Sequence, residues 1–124
     1  MTRVDRDPLA QGPLVQGFAG GGFSVDGGIY MGLLLTPQSA VEWRPPALAD
    51  LTAGSFDGVL DLDPAPEFLL LGTGSTHLFP PRSLVRALDE RGIGIETMDS
   101  RAAARTWGLL RREERWIVAA LMPL

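Results

Sequence analysis

The stretch Phe68-Leu-Leu-Leu-Gly-Thr-Gly-Ser75 decides the fold of this chain. It opens with a continuous apolar run between Pro66 and Gly72, which is typical of a strand covered on both faces of a sheet. The glycines that follow let the backbone turn sharply where this strand ends. The stretch therefore predicts a buried central strand that ends in a tight turn, and ligands most often bind at such a turn in open α/β sheets.

Alternating helix and strand patterns continue from this turn to the end of the chain. They predict a helix from Pro81 to Arg91, a strand from Ile93 to Met98, a helix over residues 101–112 and a strand from Trp116 to Leu121. Asp99-Ser100 supplies an N-cap for the second helix. The order over residues 67–121 predicts a βαβαβ unit with parallel strands and right-handed crossovers.

Upstream of this unit the sequence predicts a β-hairpin. Phe23-Ser-Val25 and Ile29 to Leu35 flank Asp26-Gly-Gly28, and an Asp-Gly step supplies the positive φ angles of a tight hairpin turn. A third strand is expected around Val41 and Trp43, and residues 47–66 are expected to form short helical turns. We interpret residues 1–14 as a flexible N-terminal arm and residues 15–124 as one domain.

Composition excludes several kinds of chemistry. The chain has 124 residues, enough for one packed core, with no cysteine, no lysine and a single histidine, His77. Thiol catalysis, a Schiff base and a Walker lysine are therefore impossible, and so are metal sites that need two imidazoles. We expect no cofactor, no metal and no catalytic residue.

Charge is distributed unevenly along the chain. The net charge of −4 argues against nucleic-acid binding, which needs an excess of cations. Residues 1–81 carry 3 arginines against 9 acids, whereas residues 82–124 carry 8 arginines against 6 acids. The C-terminal part therefore presents either a local cationic face or solvated helix faces with intrahelical pairs such as Arg86 with Glu90.

The expected location is the cytoplasm. The longest uncharged apolar run, near residues 28–41, is interrupted by Gly32 and Pro37, so no membrane-spanning segment is predicted. The N-terminal residues mix acids and arginines and lack the apolar core of a signal peptide.

The candidate site consists of Gly72, Thr73, Gly74 and Ser75, joined by Arg105 from the second helix. Backbone amides, hydroxyls and a guanidinium in this arrangement would bind a small anion. The alternative is a turn that needs its glycines only for conformation. The stretch fits neither a dinucleotide fingerprint nor a P-loop, and a nucleophilic role for Ser75 with His77 is disfavoured because no G-x-S-x-G surrounds the serine.

Four aromatic residues complete the set of candidate functional positions. Trp43, Phe79, Trp107 and Trp116 are predicted to lie in the core, and any one of them left exposed would be a natural anchor for a binding partner.

Several short segments in a fixed order resemble a known family. They are Leu71-Gly-Thr-Gly74, Pro81, Leu84, Gly92-Ile93, Glu96 to Asp99, Arg105-Thr106 and Val118-Ala-Ala-Leu121. This order is similar to that of the Mth938-type domains of uncharacterised function, a family that includes mitochondrial respiratory complex I assembly factor 3 and many bacterial proteins.

The resemblance implies a three-layer α/β fold with a central mixed sheet and no established catalytic activity. Many relatives carry an asparagine after the helix aromatic, where this chain has Gly108 after Trp107. The absence of lysine together with heavy use of arginine suits a bacterium with a G+C-rich genome.

The leading hypothesis is a non-enzymatic accessory or assembly factor that binds another protein, with homo-oligomerisation also compatible. The alternative is a small-molecule or anion-binding protein, or an enzyme of unknown reaction, that uses the Gly72 to Ser75 turn and Arg105.

Overall fold

The computed structural model describes residues 12–124, which form eight strands and two α-helices. The strands are β1 (Gly17–Ala19), β2 (Gly22–Val25), β3 (Gly28–Tyr30), β4 (Leu33–Leu35), β5 (Ala40–Glu42), β6 (Phe68–Gly72), β7 (Gly94–Met98) and β8 (Val118–Leu121). The helices are α1 (Arg82–Glu90) and α2 (Ser100–Arg112). Three short 3-10 turns, at Leu48–Asp50, Ala53–Phe56 and Val59–Asp61, occupy the segment where the sequence predicts broken helical turns.

The apolar run at Phe68 forms β6, an inner strand of a five-stranded mixed sheet with the order β5-β4-β8-β6-β7. Strand β6 pairs in parallel with both β7 and β8, while β4 is antiparallel to β5 and β8. Leu69, Leu70 and Leu71 have no exposed surface, as a strand covered on both faces requires. The predicted βαβαβ unit and central mixed sheet are confirmed.

A second sheet has the order β1-β2-β3 and contains the predicted hairpin. Asp26 and Gly27 adopt φ angles of 49° and 84°, the left-handed values that an Asp-Gly hairpin turn needs. The strand predicted from Ile29 to Leu35 is wrong as one element, because the chain bends at Met31-Gly32 and places β3 and β4 in different sheets. A Cβ at Gly32 would lie 2.3 Å from the carbonyl oxygen of Trp43, so this bend depends on glycine.

Two apolar clusters pack on opposite faces of the large sheet and give the predicted three layers. One joins α1 and the 3-10 turns to the sheet, and the other joins α2 and the small sheet to it. Buried members of the first cluster include Leu34, Trp43, Leu51, Phe56, Leu69, Leu71, Leu84 and Leu88. Buried members of the second cluster include Phe23, Val25, Leu35, Leu70, Ala103, Trp107 and Ala119.

The helix boundaries agree with the sequence patterns. Pro81 is the N-cap of α1, and the Asp99 carboxylate caps α2 by accepting a hydrogen bond from the Ala102 amide at 2.9 Å. The sequence patterns do not predict strand β1, because Gly17-Phe-Ala19 carries little strand signal of its own and pairs only through β2.

Part of the predicted arm lies within the described residues. Pro13 is buried, and its carbonyl accepts a hydrogen bond of 2.8 Å from the indole Nε1 of Trp107. This contact fixes the chain entering β1 against α2. Residues 1–11 lie outside the described part of the chain.

Candidate functional site

The Gly72-Thr73-Gly74 turn is bound to the start of α2 by backbone hydrogen bonds. The Thr73 amide donates to the carbonyl of Met98 at 2.9 Å, and the Ser100 amide donates to the carbonyl of Gly74 at 2.8 Å. Gly74 has a φ of 101°, a value that side chains rarely tolerate. The turn therefore fixes where β6, β7 and α2 meet.

Ser100 is the buried polar residue at this junction. Its Oγ accepts a hydrogen bond from the Gly74 amide at 2.8 Å and donates one to the carbonyl of Met122 at 2.7 Å. A Cβ at Gly72 would lie 2.8 Å from both Cα and Oγ of Ser100, so only glycine fits there. The sequence suggests Ser100 only as part of a helix cap, because a contact between residues 26 positions apart leaves no local signal.

The Thr73 hydroxyl organises the loop that follows the turn. It donates to the carbonyl of Thr76 at 2.7 Å and accepts from the amide of Leu78 at 3.0 Å. Thr73 is itself buried, whereas Ser75 and Thr76 are exposed. A buried hydroxyl thus holds an otherwise exposed loop in one shape.

At the end of this loop lies an exposed apolar pair, Leu78 and Phe79, which we call the apolar loop. Phe79 is 84% exposed and Leu78 is 51% exposed. The predicted core position of Phe79 is therefore wrong, and Phe79 meets the condition for a partner anchor. Trp43 and Trp107 are buried as predicted, while Trp116 is partly exposed and donates its indole N–H to the carbonyl of Pro64.

His77 connects the apolar loop to the sheet. Its Nε2 lies 2.8 Å from the hydroxyl of Thr97 on β7, and its ring centroid lies 5.1 Å from that of Phe79. The imidazole therefore acts as a support for the loop in this arrangement. No local pattern indicates the partner of His77, since Thr97 is 20 residues away.

Arg105 faces the small sheet. It lines a cavity of about 130 Å³ with Ala104 and residues 15–18, and this cavity contains no residue of the Gly72 to Ser75 turn. Arg101, one helical turn earlier, lies over the ring of Phe18 at 5.2 Å. The Gly74 amide and the Thr73 hydroxyl already have hydrogen-bond partners within the fold. The anion site at Gly72, Thr73, Gly74, Ser75 and Arg105 stays a prediction.

Two further features concern charge in the described residues. Arg111 is 4% exposed, donates from Nη1 to the carbonyl of Arg115 at 2.6 Å, and burial lowers the pKa of its guanidinium. No group of histidine and acidic side chains within residues 12–124 is arranged to hold a metal ion. In the same part of the chain, neither helix has the length and hydropathy needed to cross a bilayer.

These features define a three-layer α/β domain whose glycine turn presents an ordered apolar loop. Solved structures from several bacteria resemble it. A solution structure from Bordetella pertussis, described as a Mth938-like domain, superposes with a TM-score of 0.79 at 27% identity, covering 98% of this chain and 92% of that one. A crystal structure from Bordetella parapertussis superposes with a TM-score of 0.82 at 32% identity, covering 94% of this chain and 100% of that one.

The chain belongs to the family described as "Protein of unknown function (DUF498/DUF598)", whose model matches residues 15–122. Among its relatives is NADH dehydrogenase [ubiquinone] 1 alpha subcomplex assembly factor 3 from Bos taurus, 36% identical over 118 residues. That match covers 94% of this chain and 62% of the bovine protein. The family resemblance seen in the sequence is confirmed.

Proposed function

We propose that this protein is a non-enzymatic accessory or assembly factor that binds another protein through the apolar loop. The observation that carries the proposal is the 84% exposure of Phe79 on a loop held by the buried Thr73 hydroxyl. An exposed aromatic side chain on an ordered support loses little conformational entropy on binding, and such residues commonly dominate the energy of protein interfaces.

The relationship to the bovine assembly factor supports an assembly role. Because the chain spans only 62% of that relative, its particular partners are not transferred to this protein. The cytoplasmic location expected from the sequence also stays a prediction.

The proposal is tested by affinity capture with the tagged full-length chain from cells of the source organism. Phe79→Ser is expected to lose the captured partner while keeping the melting temperature, because the ring has little buried surface to give up. Leu109→Ser is the matched control, since Leu109 is 57% exposed on α2 and outside the apolar loop. Equal capture by the wild type and Phe79→Ser would contradict the proposal.

The anion-binding alternative predicts a different response. Phosphate would raise the melting temperature of the wild type, and the increase would disappear in Ser75→Ala and Arg105→Ala. That result, combined with no partner dependent on Phe79, would replace the accessory role with a ligand-binding one.

A further inference from the structure

Strand β7 forms one edge of the large sheet. It lies at the end of the order β5-β4-β8-β6-β7, and no other strand within residues 12–124 pairs with its outer side. An unpaired edge presents a row of backbone donors and acceptors to which another strand can add.

The outward-facing groups of β7 belong to Ile95 and Thr97. The Gly94 amide and the Met98 carbonyl bond toward the β6 side, to Glu67 and Thr73 respectively. Since the N–H and C=O of one strand residue point to the same side and those of its neighbours to the other, Ile95 and Thr97 direct theirs outward. The outer edge of β7 therefore presents backbone donors and acceptors at the spacing that a pairing strand requires.

A groove of about 510 Å³ runs along this edge between β7 and α1. Val85, Ile93 and Ile95 supply its apolar lining, and Arg82, Arg86 and Asp89 supply its charged groups. His77 bonds to Thr97, whose side chain points to the same face of β7 as that of Ile95. His77, which directly precedes the apolar loop, is therefore attached to the face of β7 that the groove occupies.

The opposite face of β7 has a groove of its own, of about 280 Å³, between β7 and α2. Phe68, Met98 and Leu110 line it together with Glu96 and Arg115. Side chains of an added strand alternate between the two faces of the sheet, so each set would enter one of the grooves.

Charge indicates what kind of segment fits. Arg82 and Arg86 are exposed and form no ion pair within residues 12–124, so the intrahelical pairing expected between Arg86 and Glu90 is absent there. The groove lining carries these two guanidiniums against the one carboxylate of Asp89, and this excess of positive charge complements a segment that carries carboxylates next to aliphatic side chains.

We infer that an extended segment of a protein partner, with alternating aliphatic side chains and a flanking acidic residue, adds as a strand to the outer edge of β7. This inference rests on the proposed protein-binding function and names the form of the partner. The Ile95 and Thr97 backbone supplies the hydrogen bonds, the two grooves receive the side chains, and Arg82 and Arg86 receive the carboxylate.

A second copy of this chain is a poorer occupant. Two-fold antiparallel pairing centred on β7 places Glu96 opposite Glu96 of the second copy, and like charges directly opposite one another are destabilising. The same symmetry brings a second α1, with the same two arginines, to the same face of the extended sheet.

The test uses the full-length chain and a phage-displayed library of random linear peptides. Enriched peptides are expected to alternate aliphatic and other residues, to carry an acid, and to slow hydrogen exchange at the Ile95 and Thr97 amides. Thr97→Pro is expected to reduce binding to background, because it removes an outward N–H while leaving the ladder to β6 intact. Thr97→Val, which keeps that N–H, is expected to retain binding.

The charge requirement has its own variant. Arg86→Glu is expected to lower the affinity for acidic peptides by about tenfold, and a fresh selection against this variant is expected to enrich basic peptides. The inference is overturned if no peptide is enriched, if the protected amides lie elsewhere, or if Ile95 and Thr97 are already protected in a dimer without peptide. A cellular partner that depends on Phe79 but is unaffected by Thr97→Pro would leave the proposed function standing and remove strand addition.

Discussion

Ser100 and Gly74 are joined by two reciprocal hydrogen bonds. The Gly74 amide donates to the Ser100 hydroxyl at 2.8 Å, and the Ser100 amide donates to the Gly74 carbonyl at 2.8 Å. This pair links the end of β6 to the first turn of α2, and it is the base from which the apolar loop departs. Substitutions at this junction should therefore affect the stability of the whole domain.

Ser100→Ala is expected to destabilise the fold by about 1–3 kcal/mol, because it leaves the Gly74 amide and the Met122 carbonyl buried without their partner. Chemical denaturation of the two proteins measures the difference. Ser75→Ala, at the exposed position that follows Gly74, is the control and should change stability by less than about 0.5 kcal/mol. Equal effects of the two variants would show that the Ser100 contact is dispensable.

Gly72→Ala is expected to destabilise the fold by about 1–3 kcal/mol through overpacking. The added methyl group would meet Cα and Oγ of Ser100 at 2.8 Å and Cδ2 of Leu121 at 3.0 Å. Because two of these three atoms belong to the junction itself, the amide of Gly74 should also exchange faster with solvent. An unchanged denaturation midpoint would mean that the junction accommodates the added methyl group without loss of stability.

Gly108→Ala is expected to stabilise the fold, the opposite of the effect expected for Gly72→Ala. Gly108 lies inside α2, and the one heavy atom near an added methyl group would be Nη2 of Arg112 at 3.8 Å, an ordinary contact. Replacing an unstrained interior glycine by alanine stabilises a helix by about 0.5–1 kcal/mol. The melting temperatures of Gly108→Ala and Gly72→Ala, each compared with that of the wild type, measure this difference, and the two variants form a matched pair of glycine substitutions. A lower melting temperature for Gly108→Ala would contradict the packing seen at this position.

The Glu67–Arg115 pair should make stability depend on pH. Arg115 donates two-pronged hydrogen bonds to the Glu67 carboxylate, and these, together with the Trp116 amide, hold the pKa of Glu67 below its ordinary value of 4.5. A lowered folded pKa gives a stabilising contribution that is present above the unfolded pKa and is lost as the pH falls through the folded one.

The melting temperature of the wild type should therefore exceed that of Glu67→Gln at about pH 7, and the gap should narrow as the pH falls below 4.5 and through the lowered pKa of Glu67. Glu90→Gln is the control, because Glu90 is exposed and has no ion pair within residues 12–124. A gap that stayed constant with pH would show that the carboxylate charge does not matter. Both partners are partly exposed, so the effect should also shrink in high salt.

Local signals are enough to predict most of the large sheet and both helices. The apolar run at Phe68 and the cap at Asp99 are properties of a few neighbouring residues, and the structure agrees with both. The need for glycine at the Gly32 bend has no such signal, because the carbonyl of Trp43 that leaves no room for a Cβ is brought there only by pairing of β4 with β5.

The candidate site depends even more on contacts that form only in the folded chain and leave no local signal in the sequence. An apolar residue such as Phe79 reads as core in a sequence, since hydrophobicity alone does not say which side of a loop faces solvent. Its exposure follows from the Thr73 hydroxyl and from His77 bonding to Thr97, both of which depend on the finished fold. The glycine turn is visible in the sequence pattern, but its structural partner Ser100 is visible only in three dimensions.

Contact between the apolar loop and a protein partner is the central claim. The most direct measurement places the photo-crosslinking residue p-benzoylphenylalanine at position 79 of the full-length chain in living cells and, in a parallel experiment, at position 109. We predict a discrete protein adduct from position 79 that is absent from position 109, although both side chains are exposed in the structure. No adduct at position 79, or the same adducts from both positions, would contradict the claim.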